Sequence, residues 1–130
     1  MPTNKQGERV GKEENLYRRI YRTPWHKYVN PDNTPTSRNF VPRKADDGKL
    51  SVDIVSLTTI EEAVKDISKY ALTEISVASV ESVGLFAIYD ECTIERDGFN
   101  NPSHSLVCGF DDDDDIKPAL LARKAKVIFQ

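Results

Sequence analysis

The sequence predicts an α+β fold: a single small domain in which a sheet of four or five strands carries two main helices and a long proline-rich loop. Three observations lead there. Residues 73–90, TEISVASVESVGLFAIYD, form the longest apolar passage and read as a strand, a tight turn and a second strand. Leu50, Val52 and Ile54 alternate with Ser51, Asp53 and Val55, the period-two signature of a half-buried strand. Ile60, Ala63, Val64, Ile67 and Ala71 then recur at helical spacing, with Glu61 and Lys65 as an i, i+4 pair on the wet side.

A length of 130 residues suits one domain, and an apolar fraction of 38% with a mean hydropathy of −0.52 suits one sheet under one or two helices. No run approaches the roughly 18 apolar residues of a transmembrane helix, so a membrane is not an expected partner. The first fifteen residues, MPTNKQGERVGKEEN, hold no apolar stretch of the secretory kind. Cys92 and Cys108 suggest neither a disulfide framework nor a metal knuckle, and the expectation is a reduced, cytoplasmic protein. The net charge of −3 conceals an asymmetry. Residues 1–50 carry eleven Lys/Arg against six Asp/Glu, and residues 51–130 carry seven against fifteen. Such a chain can set a positive surface beside a negative one, unless the halves interleave and the difference averages out.

Taken in order, residues 1–15 are polar and without periodicity and read as a disordered N-terminal tail, leaving residues 16–130 as the domain. Residues 16–21, LYRRIY, fit two periods. As a strand, Leu16, Arg18 and Ile20 share one face, and Tyr17, Arg19 and Tyr21 the other; as a helix, Leu16, Tyr17, Ile20 and Tyr21 form one stripe. The aromatics favour the strand. Residues 23–49 contain Pro24, Pro31, Pro35 and Pro42 and read as a loop that packs across the domain, because Trp25, Tyr28 and Phe40 are poor linker residues. A strand is expected at 50–57 after the Asp47-Gly48 turn. A helix follows at 59–71, opened by a capping box of Thr58 and Glu61.

In the long apolar passage a strand runs to Ser79, which caps one helical turn at 80–83 that Gly84 closes in the left-handed conformation. Residues 85–91, mostly apolar, read as a central strand. Residues 96–102 form a turn-rich loop and residues 104–110 the last strand. A final helix is expected over 116–128, with Pro118 in its first turn, basic residues at its end, and Leu121, Ala122, Ala125, Ile128 and Phe129 buried.

Tyr17, Arg18, Arg19, Tyr21, Trp25, His26 and Tyr28, with Arg22 and Lys27 among them, are the densest basic and aromatic group and the candidate binding residues. Guanidinium groups and aromatic faces suit phosphates and bases, and they equally suit a protein interface or long side chains that cover a core. His104, at the mouth of a strand between Ser103 and Ser105, is the candidate catalytic base, with Asp90 or Asp97 as an acid near it in space; a structural histidine bonded to a carbonyl explains it equally. The aspartates at 111–115 look like a hard-cation site, but consecutive residues point apart, and a solvated run that caps a helix is the preferred reading. No P-loop, dinucleotide fingerprint, nucleophile elbow or zinc motif is present, so no cofactor and no metal are predicted.

LYRRI at 16–20, LSVDIVSLTTIEEAV at 50–64 and NPSHSLVCG at 101–109 together resemble a family of short bacterial proteins. Its members pair an LYRRI-like start with an LSVD strand and an NPAH-like motif near the end. The resemblance covers most of residues 16–127, implies no activity, and directs attention to Arg18, Ser51 and His104. A fainter similarity is to ADP-ribosyltransferase-like folds, which also open with a Tyr/His-Arg strand followed by a Ser-bearing strand; the later catalytic Glu of that pattern has no match here. The expectation is therefore a non-catalytic protein-binding module that uses segment 17–28 and loop 23–49. The alternative is a small enzyme acting on a nucleotide or nucleic acid through an Arg/His site.

Overall fold

The computed structural model describes residues 7–42, 48–90, 103–112 and 114–130. Among these, six strands form one antiparallel sheet: β1 (Asn15–Tyr21), β2 (Leu50–Ile54), β3 (Tyr70–Ser76), β4 (Phe86–Tyr89), β5 (His104–Cys108) and β6 (Lys126–Phe129), in the spatial order β4-β5-β2-β1-β3-β6. Four short helices accompany them: α1 (Trp25–Tyr28), α2 (Ile60–Val64), α3 (Val77–Ser82) and α4 (Ile116–Lys124). No helix among the described residues is long and apolar enough to cross a membrane.

β1 is the hub. It pairs with β2 through Leu16↔Ile54 and Tyr17↔Asp53, and along its whole length with β3, from Asn15↔Ser76 to Tyr21↔Tyr70. Alternation along a strand sends successive side chains to opposite faces. Leu16 accordingly joins the main core with Leu50, Val52, Ile54, Ile75 and Val107, beneath Val77 and Val80 of α3 and Leu121 and Ala122 of α4. Tyr17, on the other face, packs with Leu72 and with Ala63 and Val64 of α2. Ile20 returns to the first face in a smaller cluster with Val29, Ala71 and part of Trp25. Within 22–42, Val29 and Pro35 form an isolated antiparallel bridge, and Phe40, 1% exposed, inserts into the main core from a 3₁₀ turn at Ser37–Phe40.

Six strands replace the expected four or five, and both additional stretches come from segments with helical spacing. The helix expected over 59–71 stops at Val64. Its cap is Thr59, which accepts from the Glu62 amide at 3.2 Å, one residue beyond the expected pair. Lys65 then turns to φ +65°, Asp66 folds over Ser68, and Tyr70 to Ser76 align with β1. Pairing seven residues with a central strand outweighs the local 3.6-residue period. The final helix likewise ends at Lys124. Val127, Ile128 and Phe129, β-branched or aromatic, extend along β3 as a sheet edge.

The passage 73–90 is not a hairpin. β3 and β4 run parallel with β1, β2 and β5 between them, and α3 makes the crossing. Its cap is Ser76, which accepts from the Ser79 amide at 3.0 Å, and Gly84 leaves the helix at φ +85° as expected. β4, expected to be central, lies at the end of the sheet order. Residues 7–10, expected in a disordered tail, run along its outer side: the Val10 amide donates to Ala87 and the Tyr89 amide to Glu8, each at 2.9 Å. Val10, only 1% exposed, is the anchor, one apolar side chain being enough to hold a polar segment against an open edge. The turn-rich loop at 96–102 and residues 1–6 lie outside the described residues.

Candidate functional site

The sequence-selected binding residues separate according to the alternation of β1. Tyr17 is buried, and its phenol is pushed above the ordinary tyrosine value, first by burial and then by the negative charge of Glu74. Arg18 points to the opposite face, where Nε donates to the Asn39 carbonyl at 3.0 Å and Nη1 to the Ser51 carbonyl at 2.8 Å. Thr73 Oγ1 donates back to the Arg18 carbonyl at 3.0 Å. Asn39 in turn donates to the carbonyls of Tyr28, at 2.7 Å, and Thr36, at 3.1 Å. Arg18 thus ties the 37–40 turn to β2 between two apolar clusters. Trp25 is half-buried against the Ile20 cluster.

Arg19, Tyr21 and Tyr28 come together on the outside, and residues from distant segments join them. Tyr21, 49% exposed, has its ring centroid 5.5 Å from both Tyr28 and Tyr70, tilted by 50° and 42°. The Arg19 guanidinium lies 5.3 Å from the Tyr70 ring, Arg22 5.9 Å from Phe129 and Arg38 6.0 Å from Tyr28. Arg22 Nε also donates to the Ile67 carbonyl at 2.7 Å, which fixes that side chain at the rim. His26 and Lys27 are exposed on α1. Sequence reasoning missed Tyr70, Phe129 and Arg38: the first two were assigned to helices, and Arg38 lies outside the basic and aromatic run. The Tyr21↔Tyr70 register, which brings in the first, is a non-local fact.

A second constellation forms where Tyr17, Asp53 and His104 stand in one row across β1, β2 and β5. Ser103 Oγ donates to Asp53 Oδ1 at 3.0 Å, and all three of Asp53, Ser103 and His104 are buried. His104 Nδ1 lies 2.6 Å from the Asp90 carbonyl oxygen and 3.2 Å from Asp90 Oδ2. A carbonyl oxygen only accepts, so Nδ1 carries the proton and the neutral ring keeps its lone pair on Nε2. Asp90 is thus the acid that approaches His104; Asp97 lies outside the described residues. The arrangement can accept one proton or one hydrogen bond at Nε2. Ser105 turns away from it into the main core, fully buried.

Arg18 and His104 do not share a site. Tyr17 and His104 lie in the same row, and Arg18, next to Tyr17, is on the opposite face of the sheet. The aspartate run behaves as a helix lead-in: Asp114 Oδ1 accepts from the amides of Ile116 and Lys117, both at 3.0 Å, and these bonds hold its carboxyl below the ordinary aspartate value. Cys108 is buried and its thiol is pushed up by that burial; Cys92 lies outside the described residues. Among the described residues no three His, Cys, Asp or Glu side chains are grouped to hold a metal ion. Comparison with protein-family models, with curated proteins and with solved structures finds no match to this chain.

Proposed function

We propose that the chain is a non-catalytic protein-binding module whose contact surface is the cluster of Tyr21, Tyr28 and Tyr70 with Arg19, Arg22 and Arg38. The observation that carries the reading is the arrangement of guanidinium groups over rings. Tyr and Arg are the residues that dominate protein interfaces, and rings set by one another and by cations lose little rotamer freedom on binding. The same arrangement argues against single-stranded nucleic acid as the ligand. Base stacking needs open, parallel ring faces; here the rings tilt by 42° and 50° against one another, and Arg19 and Arg38 lie near the faces of Tyr70 and Tyr28. An overall charge of −3 works in the same direction.

The test is affinity capture on the immobilised full-length protein, with an Arg19→Ser, Tyr21→Ser double variant as control and thermal melting to show that the variant is folded. The wild type is expected to retain one protein in about equimolar amount, and the variant to lose it. Equal retention on both, or tighter binding of a single-stranded oligonucleotide than of any protein, overturns the reading. His104→Ala is expected to leave capture unchanged, since His104 belongs to the other constellation.

A further inference from the structure

The two edges of the sheet are treated differently. Outside β4, residues 7–10 occupy the backbone groups. Outside β6 no backbone hydrogen bond is made by any described residue, and β3 is its single partner strand. An uncovered edge is a template for another strand unless something blocks it. We propose that β6 takes an extended, acidic segment of the protein partner as a seventh strand. This rests on the protein-binding reading above and specifies its mode.

Two features of the edge carry the choice of occupant. The first is that both apolar layers run out to the rim. Ile128 and Phe129 pack against the cluster of Tyr17, Ala63, Val64 and Leu72 on one face, and Val127 against that of Ile20, Val29 and Ala71 on the other. A seventh strand with apolar side chains would lengthen both. The second is charge. Lys126 opens β6 and is exposed, Arg123 and Lys124 are exposed in the last turn of α4 just before it, and the Arg22 guanidinium lies 5.9 Å from the Phe129 ring. The acid in register with this strand is Glu74, opposite Lys126, and it already accepts a hydrogen bond from Asn15 Nδ2 at 2.8 Å.

This basic frame discriminates among occupants. A second copy would bring its own Lys126, Arg123, Lys124 and Arg22 to the same edge, and like charges across a strand pair are destabilising. A lysine on an edge strand is a common protection against indiscriminate pairing. An acidic strand meets no such repulsion; it gains main-chain hydrogen bonds along β6 while its carboxylates face the frame.

The experiment uses the full chain and an acetylated, amidated peptide of alternating Glu and Val about eight residues long, the span of an ordinary strand. It is titrated into isotope-labelled protein and followed by amide chemical shifts. Two further peptides carry N-methyl groups on every Glu or on every Val amide, so that each removes the donors of one peptide edge. A Lys-Val peptide tests charge.

The parent peptide is expected to move the amide signals of 126–129, one methylated peptide to bind at least about tenfold more weakly than the parent, and the Lys-Val peptide likewise. Strand addition is overturned if both methylated peptides bind as the parent does, if the parent binds elsewhere or not at all, or if sedimentation shows a dimer that Ile128→Pro dissolves. These failures are separable from failure of the protein-binding reading. Loss of the captured partner in the Arg19→Ser, Tyr21→Ser variant with silent N-methylation leaves the interface standing and removes only the seventh strand.

Discussion

Arg18 and Arg19, neighbours in the chain, serve opposite faces of the sheet. Arg18 donates inward to the carbonyls of Asn39 and Ser51, whereas the Arg19 guanidinium lies outside, 5.3 Å from the Tyr70 ring. Truncating them should therefore have different consequences. Arg18→Ala leaves two half-buried carbonyls without a charged donor and should cost about 2–4 kcal/mol of stability. Arg19→Ala loses one half-buried cation–ring contact at the surface and should cost about 1 kcal/mol or less while abolishing partner capture. Urea midpoints at constant slope measure both. Equal losses would mean that the alternation of β1 has been misassigned.

Phe40 tests whether the loop is part of the structure. It is 1% exposed in the main core, although it follows four residues rich in turn chemistry and precedes Pro42 by two positions. Phe40→Ala should cost about 3–5 kcal/mol, the range for emptying a buried aromatic site, and Phe40→Leu clearly less. A loss below about 1 kcal/mol for the alanine variant would show that residues 25–42 only rest on the domain.

These contrasts also mark how far the sequence was legible. β1, β2 and β5 carry β-favouring residues with a two-residue alternation, and the separation of Leu16, Arg18 and Ile20 from Tyr17, Arg19 and Tyr21 follows from that period alone. Tyr70-Ala71-Leu72 and Val127-Ile128-Phe129 were not legible as strands. Each short apolar group also fits a helical period, and what decides is pairing with a strand some fifty residues away in the chain, Tyr70 with Tyr21 for example. The exposed cluster was half visible for the same reason: Tyr21 and Tyr28 are close in sequence, while Tyr70 and Phe129 arrive by register. His104 was recognisable as a candidate, and Asp90 as one of two possible acids. That the histidine and Arg18 occupy opposite faces required knowing which strand stands between which.

Lys65 closes α2 at φ +65° and ψ −54°, and the Asp66 amide donates to the Val64 carbonyl at 2.7 Å. This is a three-residue turn of the strained, positive-φ kind. A side chain there raises the energy by about 1–3 kcal/mol relative to an unstrained residue, and glycine escapes most of it. Lys65→Gly should therefore raise stability by about 1 kcal/mol, after the greater freedom of glycine in the unfolded chain is subtracted. Lys65→Val should lower it. An unchanged or lower melting temperature for the glycine variant would exclude stored strain at this turn.

Asp66 supplies the acid limb of stability. Its Oδ1 accepts from the Ser68 hydroxyl at 2.6 Å and the Ser68 amide at 3.0 Å, and these bonds hold the carboxyl below the ordinary aspartate value. The sign follows from linkage. A folded-state value below the unfolded one stabilises fully above the unfolded value, and the contribution disappears as pH falls through the folded one. Asp32 and Asp114 shift in the same direction through the same kind of bonds. Melting temperature should hold from pH 7 down to the ordinary aspartate range and then fall. In Asp66→Asn that fall should be shallower; an identical acid limb would rule out a contribution from this turn.

His104 offers a test that does not depend on any activity. Its Nδ1 sits 2.6 Å from the Asp90 carbonyl, so the neutral ring must carry its proton there and keep its lone pair on Nε2. Nitrogen-detected spectra of the neutral ring in the folded protein should show a protonated Nδ1 and an unprotonated Nε2, the less common neutral tautomer. Asp90→Asn keeps the carbonyl and should keep the tautomer, because the 3.2 Å carboxylate contact is the secondary partner. Were the proton found on Nε2, the bond to Asp90 could not exist as described. The strand mouth would then be held by the backbone bond from the Asp90 amide to the His104 carbonyl, at 3.0 Å, and His104 would no longer be a candidate base.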